Sequence, residues 1–426
     1  MPPPFEYVDG VLVAGGVPLQ EVAAEHGTPL YVYHRPEIEA RVAAVRAAFA
    51  DHPTRLCYSV KANSNLRLLK WLAGLDVGFD VVSGGELARV AEVGVGAHRV
   101  VFAGVGKTVE ELDAGIDAGL WMLNVESIEE AFVVSERARE KDATVPISVR
   151  VNPDVDARTH RHITTGREVD KFGISVPDYR ELLGWLGHHP ELSLVGLHMH
   201  LGSQITDPAP YRAGVEVLLE CAEGARARDH DIRWINAGGG FGIAYDGSSV
   251  PGPEAYADVL IPPVRRFGAE LLLELGRWLV GPAGCLITRV TYRKNRRDGA
   301  RLAIVDAGMT DLLRPALYEA EHRIVPLRRA DPSETVATDV AGPICESSDF
   351  LGRDRSLPPL ERGDLLAVLD AGAYGMTMAS HYNTHPRPAE VWITEDGVVE
   401  TIRRRERFDD LVAVERDALR PVRDGG

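Results

Sequence analysis

Residues able to do chemistry sit where short apolar runs of this chain end. Lys61 follows the apolar stretch that begins at Leu56, in the run Tyr58-Ser59-Val60-Lys61-Ala62-Asn63, just ahead of a helical pattern over residues 66–75. An amine at a strand's C-terminal end projects into the space its loop encloses, where desolvation favours the neutral form that condenses with a carbonyl. An isolated lysine there is more often a solvated surface charge, so the decision rests on its neighbours. Asp80 and Ser83 close a second such run, Arg150 and Asn152 a fifth, and His198 and His200 a sixth. The triplet Gly238-Gly239-Gly240 closes the seventh, and Glu274 and Arg277 the eighth. Three glycines either turn a loop or let backbone N–H groups approach an anion such as phosphate. Two histidines one residue apart share a strand face and could bind zinc, but the other ligands of such a site have no evident source, and no metal is expected.

The second half of the chain adds a thiol and a candidate carboxylate clamp. Cys345 lies in Gly342-Pro343-Ile344-Cys345-Glu346-Ser347-Ser348-Asp349, a polar loop with a carboxylate beside the sulfur. Its bland reading is a small buried hydrophobe. Arg314 and Tyr318, four apart, could hold a carboxylate, and Tyr374 sits in the small-residue turn Gly372-Ala373-Tyr374-Gly375.

Positioning such residues requires a scaffold that presents many strand ends together. The patterns predict strands over residues 55–61, 78–83, 99–103, 120–125, 145–151, 194–201, 234–237 and 270–274. Amphipathic stretches such as 109–118, 127–141 and 211–228 lie between them, with apolar residues at helical spacing. Eight βα units predict a closed TIM-like (β/α)8 barrel, whose sites are built at the C-terminal strand ends; a doubly wound open sheet competes, but the polar strand ends favour the barrel. A phosphate site after strands seven and eight would match the glycine triplet. Beyond Arg277 the pattern becomes extended, over 285–292, 301–307, 335–342, 364–370 and 390–394, predicting a β-rich domain. Residues 7–19, with the turn signal Asp9-Gly10, read as a hairpin. The expected organisation is therefore 1–28 as strands joining the β domain, 29–277 as the barrel and 278–426 as the C-terminal β-rich domain.

Composition bounds the functions. The 426 residues are 45% hydrophobic and 26% charged, with a formal net charge of −16 and a pI near 5.4. That balance disfavours nucleic acid and anionic membrane as partners, and Arg403-Arg404-Arg405 reads as a solvated strand face. Cys57, Cys221, Cys285 and Cys345 show neither metal spacing nor a disulfide framework, which suits a reducing compartment, by default the cytoplasm. No apolar run is long enough to span a membrane, and no export signal opens the chain.

Taken in order, these residues resemble the fold-type III pyridoxal-phosphate decarboxylases. The resemblance is carried by Lys61 in its Tyr-Ser-Val-Lys-Ala-Asn run and by His200 in His198-Met199-His200-Leu201-Gly202-Ser203-Gln204. The Gly238 triplet, Glu274 with Arg277, Cys345-Glu346 and the Ala373-Tyr374-Gly375 turn complete it. It extends over roughly residues 7–405. Within the family the chain is similar to the branch acting on diaminopimelate, through Thr159-His160, Thr164-Thr165-Gly166, Lys171-Phe172-Gly173 and the 314–318 segment.

The resemblance implies an alanine racemase-like fold, barrel plus β domain, and decarboxylation of meso-2,6-diaminopimelate to L-lysine and carbon dioxide. Lys61 would bond covalently to pyridoxal 5'-phosphate, His200 would stack on its ring, and Glu274 would face the pyridine nitrogen. Ser203, Gly238, Gly239, Gly240 and Arg277 would hold the phosphate region, with Asp80, Arg150, Gly276 and Tyr374 as further cofactor contacts. Cys345 would return a proton to the α-carbon, from a loop that relatives supply from the other subunit, which implies a homodimer with shared active sites. Arg277, Arg314 and Tyr318 would engage the substrate's distal carboxylate, Glu346 its distal ammonium, and Tyr374 would also touch the substrate. A substrate charged at both ends needs both partners, since buried unpaired charges are costly.

One departure stands out. The family has proline between the glutamate and Gly-Arg, whereas this chain has Glu274-Leu275-Gly276-Arg277. Leucine keeps the backbone N–H that proline lacks, so a differently bent loop is expected, leaving open a decarboxylase for an ornithine-like or carrier-attached amino acid. Ornithine and arginine decarboxylases have no use for a carboxylate clamp, a racemase would need a catalytic tyrosine in place of Cys345, and intact Lys61, His200, Glu274 and Cys345 argue against an inactive regulatory homologue.

Overall fold

The computed structural model describes residues 3–155, 171–295 and 301–419. Thr159, His160, Thr164, Thr165 and Gly166 of the diaminopimelate-branch motif lie outside the described residues. The chain divides into two compact units, one of residues 39–244 and 248–280, the other of 1–38, 245–247 and 281–426.

The first unit is a closed barrel of eight parallel strands: Thr54–Ser59, Gly78–Val81, Val100–Phe102, Met122–Val125, Val145–Arg150, Leu192–His198, Trp234–Asn236 and Glu270–Leu275. The last pairs with the first, Leu275 opposite Tyr58, and leaves no edge. Strand residues are buried almost throughout, as expected of parallel strands covered on both faces. Cys57, Val101, Met122, Val195 and Leu272, from five strands, meet in one apolar cluster against Trp121 and Trp234. Each large apolar side chain so buried contributes about 1.5–3 kcal/mol.

Helices begin where local chemistry satisfies their first N–H groups. Ser83 accepts from Glu86 N (3.2 Å) at the head of Gly84–Glu92, and Thr108 and Glu111 form a capping box on Val109–Ala118. Gly119, at φ 67°, ends that helix in the left-handed conformation that glycine adopts freely.

Several strands stop short of their predicted ends. The first ends at Ser59, so Lys61 occupies a single 3-10 turn, Val60–Ala62, rather than the strand itself. The sixth ends at His198, with His200 beyond it, so the two rings do not share a strand face. The eighth runs through Leu275, and the residue standing where the family has proline is fully buried inside the strand.

The second unit holds a nine-stranded mixed sheet. Its path runs Phe350–Leu357, Val336–Ala341, Arg301–Val305, Gly284–Asn295, Leu30–His34, Ala389–Ile393 and Val399–Arg403. Leu365–Val368 pairs with both Gly284–Asn295 and Ile324–Pro326. Leu30–His34, inside the span expected for the barrel, is thus a central strand of this sheet, antiparallel to one neighbour and parallel to the other. Glu6–Val8, Val11–Ala14 and Val17–Pro18 form a small antiparallel sheet joined to this unit by Leu12 N donating to Leu327 O (2.9 Å). Leu12, Leu19, Leu30, Ile287 and Val391 share its core.

Candidate active site

At the C-terminal ends of the barrel strands the polar residues converge into one network. Lys61 Nζ lies 3.3 Å from Asp80 Oδ2, reached from the adjacent second strand. The Lys61 side chain is 37% exposed whereas that of Asp80 is 0% exposed. The 3-10 turn carries the amine past the strand end into an ion pair with Asp80. Ser59 Oγ sits 2.8 Å from Asp80 Oδ2 and 3.0 Å from the Glu274 carbonyl, so its one proton serves one of the two acceptors. Burial pushes the Asp80 carboxyl up to about 6, a rise that Lys61 opposes and Glu274 reinforces.

Glu274 is fully enclosed by partners. Asn236 Nδ2 donates to Oε1 at 2.6 Å, Asn124 Nδ2 approaches the same oxygen at 3.4 Å, and His198 Nε2 lies 3.2 Å from Oε2. Burial alone would raise this carboxyl, but His198, the Asn236 amide and Lys61 outweigh it and hold Glu274 down to about 2. The site therefore keeps a fixed carboxylate beside the lysine.

His200 is held by the glycine triplet. Gly239 N–H donates to Nδ1 at 3.1 Å, which leaves the proton on Nε2. Burial first, then the Arg150 and Lys61 charges, lowers the imidazole well below its ordinary value, so the ring is neutral. The triplet has no room for side chains: a Cβ on Gly239 would fall 2.0 Å from the Glu274 carbonyl, and one on Gly238, at φ +68°, 2.4 Å from Met199 O. Gly238 N–H is also engaged, by Asn236 Oδ1 at 2.9 Å. Within the triplet Gly240 is thus the remaining N–H donor among the described residues. Arg277 Nη2 donates to Ser203 Oγ at 2.9 Å, and Gly276 packs against the Lys61 turn so closely that a Cβ would meet Ala62 Cβ at 2.8 Å.

Arg150 is oriented by a partner the sequence did not single out. Its Nη1 donates to both oxygens of Glu126 (3.0 and 2.9 Å), its guanidinium lies 4.8 Å from the centre of the Phe172 ring, and Nη2 is buried without a partner among the described residues. Glu126 also accepts Gly104 N–H and Gly173 N–H, tying three strand-end loops together. Ser59, Asn124, Glu126, His198 and Asn236 carry much of this network. The available signal was a polar residue inside an apolar strand, as at Asn124 and Asn236. Among the described residues no group of three His, Cys, Asp or Glu is arranged to hold a metal ion.

The remaining candidates belong to the second unit. Arg314 is buried, stacks 4.3 Å from the Tyr245 ring centre, and donates from Nη1 to His322 Nε2 at 2.7 Å; His322 Nδ1–H in turn donates to Leu369 O at 2.8 Å. Tyr318 ends the short helix Arg314–Tyr318 that Arg314 begins. Tyr374 takes φ +57°, an uncommon left-handed conformation for a large residue, in a turn of small residues. Cys345 is exposed, its backbone N–H donating to Asn383 Oδ1 at 2.9 Å, and Glu346 Oε1 accepts Tyr382 OH at 3.0 Å. The other three cysteines are buried, and none of the four is bridged.

Comparison with known proteins places this network in a family. Residues 35–281 match the pyridoxal binding domain of the pyridoxal-dependent decarboxylases. The chain is 44% identical to a diaminopimelate decarboxylase of Aquifex aeolicus, over 96% of this chain and 97% of that one. It is 43% identical to that of Vibrio cholerae, with the same coverage. A crystal structure of diaminopimelate decarboxylase from Helicobacter pylori complexed with L-lysine superposes with a TM-score of 0.90 at 36% identity, covering 94% of this chain and all of that one.

Proposed function

Since the chain belongs to the pyridoxal-dependent decarboxylases, we propose that it converts meso-2,6-diaminopimelate to L-lysine and carbon dioxide, using pyridoxal 5'-phosphate. The observation that carries this reading is a barrel-mouth lysine, Lys61, ion-paired with Asp80, in the same network as a buried carboxylate, Glu274, that stays ionised. Lys61 supplies the amine that holds the cofactor covalently. Glu274 supplies the anion that keeps a pyridine nitrogen protonated. His200 is neutral and flat, suited to lie on a ring face without adding charge. Ser203, Gly276, Arg277 and the backbone of Gly238, Gly239 and Gly240 suit a phosphate, with Gly240 offering its N–H. Asp80, Arg150 and Tyr374 complete the cofactor contacts, and the buried, unpartnered Nη2 of Arg150 fits an anionic group there. Bound pyridoxal phosphate supplies the electron sink for the pair left at the α-carbon as carbon dioxide departs.

The second unit contributes specificity and a proton. Arg277, Arg314 and Tyr318 engage the distal carboxylate, Glu346 the distal ammonium, and Tyr374 the substrate alongside the cofactor. Cys345 Sγ returns a proton to the α-carbon. The enzyme is a homodimer in which the Cys345 loop of one chain completes the site of the other, and it works in the cytoplasm, a reading supported by its four unbridged cysteines. Among the described residues no helix is long and apolar enough to cross a membrane.

The test is carbon dioxide release from diaminopimelate, lysine, ornithine and arginine. Diaminopimelate should be turned over far faster than the others, which lack a distal carboxylate. Arg314→Ala should lower kcat/KM for diaminopimelate by about 2–5 kcal/mol, the usual cost of leaving a desolvated charge without its partner, with cofactor absorption unchanged. Faster turnover of ornithine or arginine, or a silent Arg314→Ala, would overturn the substrate assignment.

A further inference from the structure

We propose that Asp349 is a positioning residue for Cys345, clamping the loop that presents the thiol; this rests on the reading of Cys345 as the proton donor. Asp349 is 3% exposed and lies immediately before the strand Phe350–Leu357. Its carboxylate joins two separate segments. Oδ1 accepts Met309 N–H at 2.6 Å, and Oδ2 accepts Ile344 N–H, the amide next to Cys345, at 2.7 Å. Hydrogen bonds to a charged acceptor are roughly twice as strong as neutral ones, so a buried carboxylate with two amide donors is a firm anchor.

The backbone around Asp349 is shaped to admit that carboxylate. A Cβ on Gly308 would lie 2.9 Å from both carboxylate oxygens, and one on Gly342 would lie 2.4 Å from Oδ2 and 2.7 Å from Oδ1. Two glycines on different segments therefore clear the space it fills. Main-chain bonds then close the loop on itself: Gly342 N–H donates to Asp349 O at 3.0 Å, Asp349 N–H to Glu346 O at 3.2 Å, and Glu346 N–H to Ile344 O at 2.8 Å. Asn383 receives Cys345 N–H, and Tyr382 OH holds Glu346. The outcome is an exposed sulfur on a backbone fixed from both sides. A proton donor must come within hydrogen-bond reach of its target, and a shift of about 1 Å can cost as much as 100-fold in rate.

Asp349→Asn and Asp349→Ala in the full-length holoenzyme test the clamp, beside Cys345→Ala. Asparagine keeps one carbonyl acceptor but sets an NH2 group against the second amide, so it should be the milder change. The clamp predicts faster hydrogen exchange at Met309 and Ile344 and an altered rate of thiol labelling at Cys345, which alone among the four cysteines is exposed. It further predicts a kcat lowered about 10- to 100-fold, with KM and cofactor absorption unchanged and the asparagine variant nearer wild type than the alanine variant. Unchanged exchange and labelling, or a loosened loop with undiminished kcat, would overturn the positioning role. Full turnover by Cys345→Ala would instead remove the proton-donor reading beneath it.

Discussion

Lys107 is the natural rival to Lys61, and its surroundings disqualify it. Its side chain is 0% exposed, and its ammonium lies 2.7 Å from Glu130 Oε1, 2.6 Å from Gly104 O and 2.9 Å from Asn124 O. Three donors meet three acceptors, which leaves no amine to attack a carbonyl. Borohydride reduction of the holoenzyme should therefore fix the cofactor on the peptide containing Lys61, and Lys61→Ala should lose both the visible absorption of the bound cofactor and turnover. Label recovered on Lys107 or Lys171 would sink the assignment. At this scale the sequence was legible wherever residue type and strand-end position coincided, as for Lys61, His200 and Glu274. It was silent on Ser59, Asn124 and Glu126, whose importance comes from partners across the barrel that spacing along the chain does not reveal.

The barrel strands read correctly because parallel strands between helices leave unbroken apolar runs, and their ends were overextended because polar loop residues continue the pattern. Among the strands that escaped notice are Leu30–His34 and Phe350–Leu357. Leu30–His34 runs straight into the helix Arg35–Ala48, and its sheet partners lie hundreds of residues away. Phe350–Leu357 carries Gly352, Arg353, Asp354 and Arg355, a composition that argues against a strand, and it survives as a sheet edge where those charges reach water. Between elements, the pairing of Arg150 with Glu126 fixes the ends of the fourth and fifth barrel strands. Both side chains are nearly buried, 7% and 3% exposed. Burial tends to raise Glu126, but Arg150, His198 and Lys107 overcome it and keep the carboxyl below its ordinary range. Glu126→Gln should destabilise the folded protein by about 3–5 kcal/mol in urea unfolding, as expected when one partner of a buried pair is removed. It should also weaken cofactor binding in spectroscopic titration; unchanged stability and affinity would show that the pair is ornamental.

For the whole molecule, pH dependence should carry the mark of Asp311 in the second unit. Burial, with Asp306 and Asp349 nearby, pushes its carboxyl from 3.8 up to about 7, against the Gly308 N–H that stabilises the charge. The folded state then holds a proton that the unfolded chain releases, so stability contributed by this group is complete below pH 3.8 and lost as pH rises to about 7. Asp311→Asn should be more stable than wild type by about 2–4 kcal/mol at pH 8, with the gap closing below pH 4, in urea titrations at each pH. A constant difference across that range would refute the shifted carboxyl. Assembly is tested by mixing: inactive Lys61→Ala and Cys345→Ala proteins should regain activity as heterodimers with one intact site, and no recovery after verified subunit exchange would mean that each chain builds its own.

The central place of Leu30–His34 in its sheet also sets an order of events during synthesis. One flanking strand comes from Gly284–Asn295 and the other from Ala389–Ile393. A ribosome therefore releases this segment long before either neighbour exists. The barrel strands, from Thr54 to Leu275, all emerge in the meantime. Early translation thus yields a finished barrel preceded by an unpaired, β-prone segment, whose exposed backbone is a target for proteases and for like segments on adjacent nascent chains until Gly284–Asn295 and then Ala389–Ile393 have been made.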